Sequence, residues 1–291
     1  MPTQSPPQQT PRWEIAQTDI VAGLRRLGIE PGDLVFFHTS YKSFGAPIES
    51  GPNGLIEATL RAVTPGGTIA VPTHSGPLGI PFDPAKAPMH DSMGAVPRVF
   101  LARADAVRSR HPTHSDAAIG PEAQWLVEGH EHAGAVGPGS PLDKIRRRRE
   151  GKIVLYGVGF TSMTLIHLAE FAAQVPYFGK AYGKDAPQRA LVVAADGAII
   201  EVDMSARPGT SQAFGKAEET LRQAGLIRET TIGEARVWAI PAGPAVEALA
   251  PILRRDPLWL MPPRETSDYC RLAYDLAATA SACDRPGTRR P

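Results

Sequence analysis

The feature that most constrains the fold is a strand–helix–strand pattern in residues 33–72. Asp33 to His38 (DLVFFH) and Thr68 to Pro72 (TIAVP) are short apolar runs, each with the length of a buried strand. Between them, apolar residues recur at helical spacing after Pro52, a residue that favours the first position of a helix. Two such strands joined by a helix predict a parallel pair, and parallel pairs are typical of α/β domains.

The elements that follow extend this pattern and add antiparallel pairing. Lys152 to Val158 (KIVLYGV) predicts a third buried strand. The segments LVVAA and AIIEVDM flank Asp196-Gly197, a strong hairpin signal, and residues 229–240 predict one or two strands interrupted at Gly233. Because hairpin strands are antiparallel, we expect an α/β fold with a mixed sheet. Helices are expected over 18–27, 52–63, 96–104, 121–128, 141–149, 161–173, 211–224 and 246–254.

The length and composition are those of an ordinary globular protein. The 291 residues are 42% hydrophobic, and no linker or internal repeat interrupts residues 13–283, so we expect one domain there. Residues 1–12 and 284–291 are expected to be disordered. The C-terminal part of the domain, Arg264 to Cys283, is weakly periodic, which fits either a packing arm or a dimer contact.

Charge and cysteine usage narrow the class of protein. The formal net charge is +1 and the charges are intermixed, so no nucleic-acid partner is expected. The run Arg146 to Arg149 indicates a solvated helix face, with a contact to a phosphorylated ligand as the alternative. No apolar run approaches the roughly 18 residues of a membrane helix. The two cysteines have no disulfide or zinc spacing, which favours a cytoplasmic protein.

Polar residues follow each of the three predicted buried strands, and they share one end of the sheet if these strands are parallel. His38 ends the first strand, His74 follows the second, and the turn Val158 to Thr164 follows the third. Ligands in open α/β sheets bind beyond the carboxyl ends of the strands, so these residues predict a ligand site. A lone histidine is more often structural, but polar residues at three strand ends favour a site. No HExxH or CxxC motif is present, and no metal is expected.

His167 and Glu170 form the best candidate for a catalytic pair. They are three residues apart on a predicted helix and therefore share a face. A carboxylate beside an imidazole fixes its tautomer and stabilises the imidazolium, as a general base requires. From spacing alone, a surface ion pair is an equally good interpretation.

Six segments, taken together, resemble one known family. They are PGDLVFFHTSYKSFG, SGPNGLIEATLRAVTPGGTIAVPT, RSRHPTHSDAAIG, GPGSPLDKI, GKIVLYGVG and TLIHLAEFAAQVPY, and DPLWLMPP is a weaker seventh. In this order, over about residues 12 to 265, they identify the chain as a member of the aminoglycoside 3-N-acetyltransferase family. The resemblance implies a layered α/β/α catalytic domain that transfers acetyl from acetyl-CoA directly to an amine, the 3-amino group of a deoxystreptamine ring. It also implies that His167 is the general base.

The resemblance assigns further roles to the strand-end residues. It implies that acetyl-CoA lies along Thr39, Ser40, Tyr41, Val71, Pro72, Thr73, Ser109, Arg110, His111, Phe160 and Thr164. The cationic substrate is expected near His74, Asp83 and Asp91. The carboxylate partner of His167 is Glu170, Glu201 or Asp203, and these three stay open at this point.

The sequence departs from the family pattern where acidic residues are expected. Uncharged Leu78 and Gly79 stand in the loop after the second strand, and Pro208 falls near the expected acidic partner of the base. An alternative is therefore a relative that acylates a less cationic amine that is not an aminoglycoside. Other classes are a non-enzymatic binder of the same ligands and a metal-dependent hydrolase that uses the histidines. The chain is expected to be a monomer or a homodimer.

Overall fold

Strands and helices alternate along most of the chain in the computed structural model, which describes residues 14–75, 80–180 and 189–283. The strands are β1 (Leu34–Thr39), β2 (Thr68–Pro72), β3 (Val107–Arg108), β4 (Asp116–Ile119), β5 (Gly151–Tyr156), β6 (Arg189–Val193), β7 (Ile199–Asp203), β8 (Arg228–Ile232) and β9 (Ala235–Pro241). The helices are α1 (Gln17–Arg26), α2 (Gly51–Val63), α3 (Ala95–Leu101), α4 (Ala123–Val127), α5 (Pro141–Arg146), α6 (Ile166–Ala173), α7 (Lys216–Gln223), α8 (Ala242–Arg255) and α9 (Asp268–Cys283). The predicted tails, 1–12 and 284–291, lie outside the described residues.

Seven of these strands form one mixed sheet in the order β3-β4-β2-β1-β5-β9-β8. β1 is parallel to β2 and to β5, whereas the other neighbours are antiparallel. The predicted mixed sheet is therefore confirmed, but the reason given for it was wrong. The hairpin at Asp196-Gly197 forms, yet β6 and β7 pair outside the large sheet. Local turn chemistry sets pairing within a hairpin, whereas tertiary contacts decide whether it joins a sheet.

Helices cover both faces of the large sheet, which confirms the layered α/β/α fold. Apolar residues of α1, α2 and α3 share one buried cluster with Val35 and Phe37 of β1. Apolar residues of α4 to α9 share another cluster with Phe36 of β1 and Leu155 of β5. β1 and β5 are buried on both faces and therefore appear in the sequence as nearly continuous apolar runs. No described helix has the length and apolarity that crossing a membrane requires.

The segment after β5 differs from the predicted helix over residues 161–173. A short 3-10 turn spans Phe160–Ser162, and α6 begins only at Ile166. The expected caps, Thr161 and Ser162, do not cap α6. The extra turn carries the chain across the carboxyl end of β5, so that His167 lies in the first turn of α6.

Candidate active site

His167 and Glu170 form a buried pair on α6. His167 Nδ1 lies 2.6 Å from Glu170 Oε2, and the two residues are 5% and 2% exposed. An ionised carboxylate only accepts hydrogen bonds, so Nδ1 carries the proton that is donated to Oε2. Nε2 then has a free lone pair that can accept a proton. The alternative of a surface ion pair does not fit this burial.

Two aromatic residues that the sequence did not single out hold this pair in place. Tyr177 is buried, and its hydroxyl lies 3.2 Å from Glu170 Oε1 and 2.8 Å from the Pro257 carbonyl oxygen. Burial and the nearby Glu170 charge raise the pKa of Tyr177, which keeps its hydroxyl protonated. Phe214 packs its ring edge-on to His167, with 4.6 Å between the ring centroids. Tyr177 lies in the matching segment TLIHLAEFAAQVPY, which is the one sequence signal that points to it.

Five more histidines lie near the carboxyl ends of the strands and are called the histidine cluster below: His38, His74, His111, His114 and His130. The His74 and His114 ring centroids are 4.8 Å apart, and those of His111 and His130 are 4.9 Å apart. His130 Nδ1 lies 2.8 Å from Ser109 Oγ, and His111 Nδ1 accepts the His114 N–H at 3.0 Å. The predicted gathering of polar residues at this edge of the sheet is present.

The histidine cluster is uncharged at neutral pH. Burial lowers the pKa of His38 to about 3, with a smaller effect from the charge of His74. Burial, with smaller effects from the charges of His167 and His90, lowers the pKa of His74 to about 4. Burial likewise lowers the pKa of His130 to about 3. The pKa values of His111 and His114 are also well below the usual range, mainly because of burial. His167 therefore faces neutral imidazoles.

Arg108 connects the loop after β2 to the strand ends by hydrogen bonds. Its guanidinium donates hydrogen bonds to the carbonyls of Thr73 and Ala87 and to Ser115 Oγ, and it stacks on the Phe82 ring at 5.1 Å. Burial lowers the pKa of Arg108 to about 10, so the side chain stays charged. These contacts use three of the five N–H donors of Arg108 within the protein, which argues against a role in binding phosphate.

Replacement of Arg108 by methionine is expected to lower the free energy of unfolding by about 2–4 kcal/mol. The apolar stem is kept, but buried carbonyl groups lose a charged donor, and each such loss costs about 1–3 kcal/mol. Urea denaturation followed by circular dichroism measures the change. Exposed Arg98 is the matched control, because it also donates to main-chain carbonyls, and Arg98→Met should cost less than about 0.5 kcal/mol. Equal losses in the two variants would contradict this role of Arg108.

The segment after β1 provides main-chain and hydroxyl groups at the same edge of the sheet. Thr39 Oγ1 is buried without a hydrogen-bond partner among the described residues. The Ser40 N–H donates to the Tyr156 carbonyl at 2.9 Å, and Tyr41 starts a 3-10 turn that ends at Phe44. The Tyr41 hydroxyl accepts the Ile48 N–H at 3.2 Å.

The other residues expected along acetyl-CoA border the same strand ends. Val71, Pro72 and Thr73 are buried, and the Thr73 hydroxyl donates to the Ser115 carbonyl at 3.0 Å. Arg110 Nε is buried without a partner among the residues that the structure describes. Phe160 packs against Trp238, and the half-buried Thr164 accepts the His167 N–H at 3.1 Å. His111 belongs to the histidine cluster, and Ser109 lies beside it, in contact with His130.

Of the three carboxylates considered as partners of His167, Glu170 is in contact with it. Exposed Glu201 ion-pairs with Arg189 across the β6–β7 hairpin. Asp203, also exposed, accepts hydrogen bonds from the Ser205 N–H and hydroxyl, and these bonds lower its pKa. The sequence did not distinguish the three because the positions of β7 and α6 relative to each other depend on tertiary packing.

The acidic residues expected to bind substrate lie in the loop after β2. Asp83 ion-pairs with Lys86 at 3.0 Å, and these two line an apolar cavity of about 380 Å³ with Phe82, Pro112 and others. Asp91 is exposed. On the other side of the site, Arg207 is buried, donates to the Met204 carbonyl, and lowers the pKa values of His111 and His114 by its charge.

The geometry permits proton transfer and ligand binding at the carboxyl ends of the parallel strands β1, β2 and β5. Among the described residues, no group of three or more His, Cys, Asp or Glu side chains is arranged to hold a metal ion. A buried imidazole with a carboxylate partner is the arrangement of a general base. The fold and the site therefore define an α/β protein with a buried histidine–carboxylate pair at the carboxyl ends of its parallel strands.

The comparisons with known proteins identify the family. A family model described as aminoglycoside 3-N-acetyltransferase matches residues 36–254, and the chain belongs to this family of acetyltransferases. Aminoglycoside N(3)-acetyltransferase IV of Salmonella sp is 32% identical over 254 residues, covering 87% of this chain and 93% of the relative. Aminoglycoside N(3)-acetyltransferase VII of Streptomyces paromomycinus is 30% identical, covering 76% and 85%.

Solved structures of the same class have the same fold. A mutant of aminoglycoside acetyltransferase AAC(3)-IVa in complex with a gentamicin matches with a TM-score of 0.80 and 31% identity, covering 92% of this chain and 100% of that chain. A complex of the same mutant with apramycin matches with a TM-score of 0.74 and 30% identity, covering 90% and 100%. AAC-IIIb in a binary complex with CoASH shares the fold, with a TM-score of 0.71, 24% identity and coverage of 84% and 97%.

Proposed function

We propose that this protein transfers acetyl from acetyl-CoA directly to an amine of an aminoglycoside, the 3-amino group of the deoxystreptamine ring, with His167 as general base. The observation that carries the proposal is the buried pair of His167 and Glu170 at the carboxyl edge of β1, β2 and β5. The family membership supports the reaction. Relatives that were solved with a gentamicin and with apramycin support the substrate class.

His167 accepts the second of the two protons that the amine loses. An amine at neutral pH is mostly an ammonium ion, which has no lone pair for the thioester carbon, so one proton leaves to solvent before the neutral amine attacks. His167 Nε2 accepts a proton as the carbon–nitrogen bond forms, while Nδ1 keeps its hydrogen bond to Glu170. The carboxylate stabilises the imidazolium that results. When the carbon–sulfur bond breaks, the same proton passes to the sulfur of CoA, and free CoA leaves as a thiol.

Acetyl-CoA is proposed to lie along the ends of β1 and β2 and the turn after β5. A buried hydroxyl, Thr39 Oγ1, and a buried guanidinium nitrogen, Arg110 Nε, have no partner among the described residues, and both fit a ligand with amide and phosphate acceptors. Thr164 and Phe160 border the path between this ligand and His167. The relative solved with CoASH supports CoA as the ligand.

A second candidate substrate is a less cationic amine that is not an aminoglycoside. The observation that favours it is the distribution of charge around the site. Glu170, Asp83 and Glu201 are each engaged with a partner inside the protein, and Arg207 places a buried cation beside the histidine cluster. A polycation binds best where carboxylates are unpaired, so this distribution favours a substrate with fewer ammonium groups.

Release of free CoA from acetyl-CoA by the purified protein tests the proposal. A thiol reagent follows the reaction with apramycin, gentamicin and other aminoglycosides, and separately with small monoamines. We expect release with at least one aminoglycoside, and mass spectrometry should show one added acetyl group. Release with monoamines alone would support the second candidate. If titration calorimetry shows no binding of CoA, the acetyl-CoA assignment is wrong.

A further inference from the structure

His38 lies on the same face of the sheet as the catalytic pair. Side chains alternate along a strand, so His38 shares a face with Phe36, and their ring centroids are 5.3 Å apart. Phe36 and Leu168 of α6 belong to one buried cluster. A proton on His74 lowers the pKa of His38, and a proton on His167 lowers that of His74. His38 and His167 are thus both within electrostatic range of His74.

The ring of His38 has an unused polar atom in a buried position. The side chain is 6% exposed, and Nε2 has no hydrogen-bond partner among the described residues. His130 is also buried, but both of its ring nitrogens have partners, Ser109 Oγ and the Ala135 carbonyl. Buried polar groups in proteins are rarely without a partner, and exceptions are common where a ligand supplies one. The Nε2 of His38 is therefore a candidate for a hydrogen bond to a ligand atom.

The ring of His38 remains a neutral imidazole throughout the neutral range because burial disfavours its charged form. A neutral imidazole has one N–H and can donate a hydrogen bond without giving up the proton. His38 also lies at the carboxyl end of β1, between β2 and β5, where the parallel strands form the ligand edge. These properties suit a hydrogen-bond donor to an oxygen that gains negative charge.

We propose that the Nε2–H of His38 donates a hydrogen bond to the carbonyl oxygen of the acetyl thioester and is a catalytic residue of the transfer. This inference rests on the proposed function. As the amine nitrogen bonds to the carbonyl carbon, the carbonyl π electrons move to the oxygen, and the His38 N–H stabilises the resulting oxyanion. When the oxyanion collapses, the electrons reform the carbonyl and the carbon–sulfur bond breaks. His38 keeps its proton, whereas His167 carries the proton of the amine to sulfur.

Two variants of His38 test whether the side-chain N–H donor is what matters for catalysis. His38→Leu removes the donor, and we expect kcat for CoA release to fall by about 10²–10³-fold, as for other single oxyanion donors. His38→Gln keeps a side-chain N–H and is expected to retain more of the activity. KM for acetyl-CoA and the pH dependence set by His167 should not change. The same substitution at exposed His132, His132→Leu, is the control and should leave kcat unchanged.

The infrared band of the thioester carbonyl provides a readout that needs no amine. With acetyl-CoA labelled by ¹³C at the carbonyl, we expect a shift to lower frequency on binding to the wild-type protein and to His38→Gln, but not to His38→Leu. If His38→Leu binds acetyl-CoA and shows both the shift and wild-type kcat, the role of His38 is wrong while the proposed function stands. If the wild-type protein does not bind acetyl-CoA, the proposed function fails, and this inference fails with it.

Discussion

Replacement of His167 by alanine is expected to lower kcat for acetyl transfer by about 10²–10⁴-fold, the usual contribution of a general base. The affinity for CoA should be nearly unchanged, because the imidazole acts on the amine and not on the nucleotide part of CoA. Release of CoA under saturating substrates measures kcat, and titration calorimetry measures the affinity. A His167→Ala protein that keeps wild-type kcat would show that another group removes the proton.

The carboxylate partner is tested by three matched variants. Glu170→Gln keeps the size of the side chain but removes the charge that stabilises the imidazolium, so we expect kcat to fall more than about tenfold. Glu201→Gln and Asp203→Asn change carboxylates that are exposed and have other partners. If either of these lowers kcat as much as Glu170→Gln does, Glu170 is not the sole partner.

Acid is expected to unfold the protein well above the pKa of its buried histidines. His38, His111 and His130 are buried and have a lowered pKa, whereas an unfolded chain binds these protons near pH 6.5. Below pH 6.5 the unfolded state therefore binds more protons, and the stability that the neutral rings contribute is lost as the pH falls. At pH 5 the loss is about 2 kcal/mol each for His38 and His130, whose pKa values are lowered to about 3, and His111 adds to the loss in the same direction.

That loss is comparable with the total stability of most domains, about 5–15 kcal/mol. Buried Asp116 acts in the opposite direction, because burial raises its pKa and the folded state then binds a proton more tightly. Urea denaturation at pH 7.5, 6 and 5 measures the net effect. His130→Gln should weaken the pH dependence, whereas exposed His132→Gln should not. An unchanged free energy of unfolding between pH 7.5 and 5 would contradict the prediction.

The strands that carry strong local signals were predictable from the sequence. β1, β2 and β5 are buried on both faces, so their sequences are nearly continuous apolar runs. β4 was missed because Asp116–Ile119 is short, is rich in alanine and begins with an acidic residue. Its place in the sheet results from pairing with β2, which a local pattern does not encode.

The candidate site was predictable only where its residues are close in sequence. Helical spacing predicts that His167 and Glu170 are close together, but it does not show that the pair is buried. Tyr177 and Phe214 contact the pair from outside α6, so only the folded chain shows their part. The same is true of Arg207, whose burial beside the histidine cluster has no counterpart in the charge pattern of the sequence.

The contacts of Tyr177 link the pair of His167 and Glu170 to α9, a helix that lies much further along the chain. Its hydroxyl lies near the Pro257 carbonyl, and its ring packs edge-on to Tyr269 of α9, with 6.2 Å between the centroids. Cys270 and Ala273 of α9 are buried in the same cluster as α6. During synthesis on the ribosome, His167 and Glu170 emerge first, but their setting is complete only after α9 has left the exit tunnel. The pair therefore lacks part of its described surroundings for as long as α9 is still inside the ribosome.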